Sequence, residues 1–143
     1  MMSYPEHPEQ AVYCAIGDRL SGQTVAGTNI YASYVPDNKA RPYILMICMS
    51  DIDRGFTWSK QDPELVVLIK AVSKNEAQAL AIIAAAGARL DNQGEQDEGG
   101  MSGGEDWHLL KVTVEERLSN DYGQGTNRVF EKCVKVRIVL QEK

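Results

Sequence analysis

The sequence predicts a single α+β domain over residues 1–143, in the order helix, strand, strand, helix, strand, strand. Two observations carry this. Apolar residues recur at helical spacing in two stretches, and four other stretches carry the Val/Ile-rich or alternating pattern of strands. The strands also come in consecutive pairs with no helix between partners. That order favours a mainly antiparallel, four-stranded sheet with both helices left to pack on one face.

The first helix is expected from Pro8 to Leu20. Proline suits the first turn, where no amide donor is needed, and Glu9 sits near the positive end of the helix dipole. Val12, Ile16 and Leu20 form the apolar stripe, and Ser21-Gly22 ends the helix. Asn29-Ile30-Tyr31 reads as a short extended piece. Val35-Pro36 and Arg41-Pro42 then bracket the turn-prone residues 37–40. Tyr43 to Met49 and Leu65 to Val72 are apolar on successive residues, which predicts strands covered on both faces.

The second helix is expected over Lys74 to Leu90, entered at Ser73 with Glu76 at the capping-box position. Its Ala-rich body allows close approach to a sheet or to another subunit. Trp107 to Leu118 reads as a strand with Leu110, Val112 and Val114 on one face. Residues 119–125 form a hairpin loop by composition. The last strand, about Asn127 to Gln141, puts Phe130, Val134, Val136, Ile138 and Leu140 on one face and Glu131, Cys133, Lys135 and Arg137 on the other.

The chain has 143 residues and a net charge of −5, with 43% apolar and 24% charged residues, an ordinary globular balance. Residues 91–106 hold six acids (Asp91, Glu95, Asp97, Glu98, Glu105 and Asp106), five glycines, and no Lys or Arg. Without those acids the chain is close to neutral, so the expected picture is a neutral domain with one exposed, mobile acidic loop. The acidic balance argues against gripping a nucleic-acid backbone. The longest apolar run, Tyr43 to Met49, is far short of a membrane span. The start of the chain does not read as a signal peptide. Cys14, Cys48 and Cys133 are three and far apart, which points away from a disulfide framework and toward a reduced compartment. Cys133, on the outward face of its strand, is expected to be the most accessible.

No catalytic set, metal site or cofactor motif emerges. Ser50, Asp51 and His108 could be arranged on paper as a hydrolase set, but Ser50 lacks the G-x-S-x-G surroundings of an exposed nucleophile. The glycines of 91–106 follow a helix and precede a strand, the reverse of a phosphate loop, and six acids there would repel phosphate. Counted from Asp91, the calcium-loop pattern fails at Gln96 and Ser102, so a solvated acidic loop is the expected reading, with a weak divalent-ion site as its alternative. Arg54, Phe56 and Trp58 lie in a long strand-to-strand connection. Arginine and aromatics are enriched at interface hot spots, so these three are the expected contact residues.

The order and local wording resemble the tail-completion, or tail-terminator, proteins of long-tailed bacteriophages. The resemblance rests on the opening helix Gln10-Ala11-Val12-Tyr13-Cys14-Ala15-Ile16, then Ile30-Tyr31, Val35-Pro36 and Pro42-Tyr43-Ile44, then Leu65 to Ile69 leading into Glu76 to Ala86. It runs from about residue 9 to 141, and the insertion at 91–106 departs from it. It implies a non-enzymatic virion protein at the head–tail interface, assembled in the host cytoplasm. The subunit would form a homo-oligomeric, typically hexameric, ring that caps the tail tube and meets the head-side connector, with DNA only passing through. In such a ring the acidic loop would lie on the channel or a rim, where repulsion keeps DNA from sticking. The alternative from another class is a small dimeric ligand-binding α+β domain of the cytoplasm, against which stands the lack of convergent polar groups marking a pocket.

Overall fold

The computed structural model describes residues 6–36, 39–53, 62–96 and 100–143. Helix α1 spans Pro8–Leu20 and α2 spans Glu76–Leu90; the strands are β1 (Ile30–Ala32), β2 (Tyr43–Asp53), β3 (Pro63–Ser73), β4 (Trp107–Ser119) and β5 (Phe130–Glu142). The α+β class holds, but among the described residues the sheet has five strands rather than four, in the order β1-β2-β3-β5-β4. The extra strand is the short extended piece at Ile30, which pairs in parallel with Ile44–Met46; every other pairing is antiparallel.

Both helices lie on one face. Val12, Ile16 and Leu20 of α1 and Ile82, Ala86 and Leu90 of α2 join one buried cluster with Ile44, Leu65, Val67, Ile69, Val136, Ile138 and Leu140 of the sheet. Arg19 Nε donates to the Arg89 carbonyl at 3.0 Å, and the Cys48 amide donates to the Tyr13 hydroxyl at 2.9 Å, tying α1 to α2 and to β2.

The expectation that β2 and β3 are covered on both faces is corrected: β3 up to Lys70 and the start of β2 alternate between buried and half-buried, and β2 from Ile47 to Asp53 is half-buried or exposed throughout. The continuous apolar runs place Leu45, Ile47, Val66 and Leu68 on the face away from the helices, where they are only partly covered. Three charged side chains share that face, each with a carboxylate from a neighbouring strand. Arg137 hydrogen-bonds Glu64 of β3 and Glu115 of β4, Lys135 lies 3.3 Å from Glu116, and Lys70 lies 3.7 Å from Glu131.

Helix α2 begins two residues later than expected. Asn75 is the N-cap, its Oδ1 accepting from the Gln78 amide at 3.0 Å. Ser73 ends β3 and supports the cap instead: its hydroxyl accepts from the Asn75 amide at 3.0 Å and donates to Gln78 Oε1 at 2.7 Å. The inward face of β4 also differs from simple alternation. The register shifts between Leu109 and Lys111, so Leu109 and Val112 are buried while Leu110 is exposed. Val114 keeps the face of Val112, opposite Val136, and a second shift between Val114 and Glu116 carries Arg117 onto the same helix side, opposite Val134. A bulge adds one residue to one strand and so reverses the alternation that follows it.

Candidate assembly surfaces

Residues 91–106 are far better anchored than their composition suggests, and the mobile-loop expectation is corrected for the described part. Asp91 is the C-cap of α2, and its Oδ1 accepts from the Val114 amide at 3.0 Å. Gln93 bridges to Val112 in antiparallel fashion, and the Glu95 amide donates to the Leu109 carbonyl at 2.9 Å, so 93–95 runs along the outer edge of β4. Glu95 Oε1 sits 2.7 Å from Nδ1 of His108. Met101 is buried in the core at 4% exposure. Gly103 is buried, and a Cβ there would stand 2.6 Å from the Trp107 carbonyl oxygen, so only glycine lets the chain pass that close. Asp106 Oδ2 accepts from the Glu6 amide at 2.7 Å, and the Trp107 indole donates to the Glu6 carbonyl at 2.8 Å. Glu105 is exposed. The one large apolar side chain of the segment, Met101, was the visible signal for this anchoring.

The remaining expected site residues, Arg54, Phe56, Trp58, Asp97 and Glu98, lie outside the described residues. The hydrolase set is not brought together. Ser50 and Asp51 pair with β3, His108 lies on β4, and β3 and β5 stand between; that is three strand spacings, about 14 Å.

Among the described residues one group brings three potential metal donors within 4.8 Å: His7, Glu9 and Asp51. His7 Nδ1 already accepts from the Glu9 amide at 3.1 Å as the cap of α1, and the positive end of that helix dipole opposes a cation there. Burial pushes the Asp51 carboxyl above its ordinary range, and burial together with Glu9 pushes the Cys48 thiol up to about 12. Cys133 is buried rather than accessible, and desolvation raises its pKa; Cys14 is the exposed thiol. These positions make Cys48 and Cys133 poor nucleophiles.

Sequence reasoning missed two surfaces. The first is an apolar groove of about 420 Å³ between α2 and the β4 edge, lined by Leu80, Ile83, Ala84, Gly87, Val114 and Val134, with Arg117 and Asp91 at its border. Its signal was the Ala-rich, apolar body of α2, but the bulge that turns Arg117 toward it leaves no periodic mark. The second is the far end of β2, beyond its pairing with β1, where Met49 and Ile52 are 53% and 61% exposed.

No protein-family model matches the sequence, and no curated protein does. The fold matches solved structures. One of them, a chain of the virion of a native gene transfer agent (GTA) particle, superposes with a TM-score of 0.65 at 13% identity, over 96% of this chain and 99% of that one.

Proposed function

We propose that this chain is a structural virion protein of the tail-terminator type: one subunit of a closed, hexameric ring that caps a phage tail tube and meets the head-side connector. The observation that carries the reading is the shared fold over nearly the whole of both chains with a component of a phage-like virion particle. The sequence resemblance to tail-terminator proteins supports the same assignment, and the separation of Ser50 and Asp51 from His108 supports a role without catalysis.

In this reading Arg54, Phe56 and Trp58 contact a neighbouring subunit or a tail protein. The acids Asp91, Glu95, Asp97, Glu98, Glu105 and Asp106 face the passage or its rim and repel the phosphates of transiting DNA. At 0.1 M salt that repulsion is screened beyond about 10 Å, so it acts only at close approach. A heterologous contact repeated by rotation either closes or grows into a filament, and a cap requires closure.

Electron microscopy and native mass measurement of the purified protein test the ring. Rings of one size, alone or on the ends of tail tubes, are the expected result; a compact dimer with no affinity for tubes would overturn it. For the acids, Asp97, Glu98 and Glu105 are the ones to neutralise to Asn or Gln, because Asp91, Glu95 and Asp106 also hold the fold. The neutralised ring is expected to assemble normally and to slow DNA passage.

A further inference from the structure

Taking the ring as premise, we infer that the groove between α2 and β4 is the socket for the next subunit, and that its occupant is the far end of β2, residues 47–53, of a second copy of this chain. The two surfaces lie toward opposite edges of the sheet, since β2 is next to one edge and β4 forms the other. A subunit therefore cannot fill its own socket, and the contact is head-to-tail, the type that generates rings.

The chemistry of the two sides agrees. The socket is apolar along Leu80, Ile83, Ala84, Gly87, Val114 and Val134, and its volume of about 420 Å³ has room for more than one large aliphatic side chain. On the arm, Met49 and Ile52 are the exposed apolar side chains, at 53% and 61%. Met49 stands at the register shift between Cys48 and Ser50, where the bulge lifts it off the regular pleat.

Charge orients the fit. Ile52 lies between Asp51 and Asp53, which make this end of the arm acidic, and Asp53 Oδ1 also accepts from the Asp62 amide at 2.9 Å. The socket border carries Arg117, which β4's second bulge turns to the helix side. The acid at the border, Asp91, is exposed and holds the Val114 amide through Oδ1 at 3.0 Å. An acidic arm meeting Arg117 sets register and direction, while the buried aliphatic side chains supply the affinity.

Cysteine pairing tests this directly. In a Cys14→Ser background, Ile52→Cys and Ala84→Cys are combined in one chain and mildly oxidised. Both positions are exposed, and they lie on opposite sides of the sheet, so a bridge within one chain is ruled out. The expected result is a ladder of covalent multimers that stops at the ring size, with no ladder from either single variant. Arg117→Glu is expected to weaken association at least tenfold, and adding Asp51→Lys and Asp53→Lys to restore it.

If the parent protein forms rings and the double-cysteine chain gives no ladder, the arm-in-socket contact is wrong while the ring stands. If the parent protein is monomeric at every concentration and on tail tubes, the ring itself fails and this contact with it.

Discussion

Met101→Ala is the sharpest probe of how the acidic segment is held. Met101 is the large apolar side chain of residues 91–106, and at 4% exposure it belongs to the core cluster. Truncating a buried Met to Ala costs roughly 2–5 kcal/mol, the upper values applying where a sealed void is left. Here the side chain borders a surface groove of about 330 Å³ shared with Ala15, Arg19 and Arg89, so water can enter the vacated space. The lower end applies, about 2 kcal/mol. For a domain near this size each kcal/mol moves the midpoint by about 2–4 °C, so thermal unfolding should shift down by about 4–8 °C. Circular-dichroism melts of wild type, Met101→Ala and the exposed-site control Glu105→Gln measure it. Limited proteolysis should cut the variant sooner within 91–106. A midpoint for Met101→Ala that coincides with the control would refute the anchoring, and with it the view that this segment is part of the folded body.

The two buried or helical glycines should behave in opposite ways in urea unfolding. Gly103→Ala forces a Cβ to 2.6 Å from the Trp107 carbonyl oxygen and is expected to cost about 1–3 kcal/mol, whereas Gly87→Ala meets nothing within 4 Å in a helix interior and should gain about 0.5–1 kcal/mol. Thiol labelling at pH 8 should modify Cys14 first; at a pKa of about 12 the thiolate fraction of Cys48 is lower by roughly three powers of ten than that of an ordinary thiol, and Cys133 is shielded by burial. Labelling of Cys133 ahead of Cys14 would contradict the packing of β5. The Arg137 guanidinium holds the Glu115 carboxyl below its ordinary value of 4.5, so their pairing stabilises the fold fully above that pH and is lost as pH falls through the lowered value. The stability difference between wild type and Glu115→Gln should therefore shrink on acidification, and a difference that grows instead would reverse the sign of this argument.

The helices and most strands were legible because local signals agree with the tertiary environment. Pro8 and the Val12, Ile16, Leu20 stripe mark α1 from end to end, and the alternation from Val134 to Leu140 marks the buried face of β5. What the sequence concealed depends on partners distant in the chain. Ile30 becomes a strand only because Ile44–Met46 offers an edge for it. Ser73 has the composition of a cap, but β3 continues through it, and the cap passes to Asn75. A single inserted residue at Leu110 puts Leu109 on the buried face in its place, while Val112 and Val114 keep the face that alternation gives them, and period-2 counting has no means of registering a bulge. Cys133 does point away from the helices, yet it is buried among the side chains of that half-covered face, where accessibility cannot be read from alternation. The acidic segment misled most: its composition lacks apolar mass, but amides and carboxylates that bond to β4 and to Glu6 anchor it instead. The socket on α2 was hidden for the same reason as the β4 faces, and Arg54, Phe56 and Trp58 lie outside the described residues.

The charged side chains on the open face of the sheet also act as a check on strand alignment. Arg137 can meet Glu64 and Glu115 together only when β3, β5 and β4 are in their observed register. Sliding β5 by a single residue would turn Lys135 and Arg137 toward the helices and expose Val136 and Ile138 in exchange, stranding cations in an apolar layer. Misaligned sheets are thereby penalised before any partner is met. The spacing from the β2 arm to the β4 edge, which any assembly through these edges must repeat faithfully, is thus fixed within each subunit beforehand.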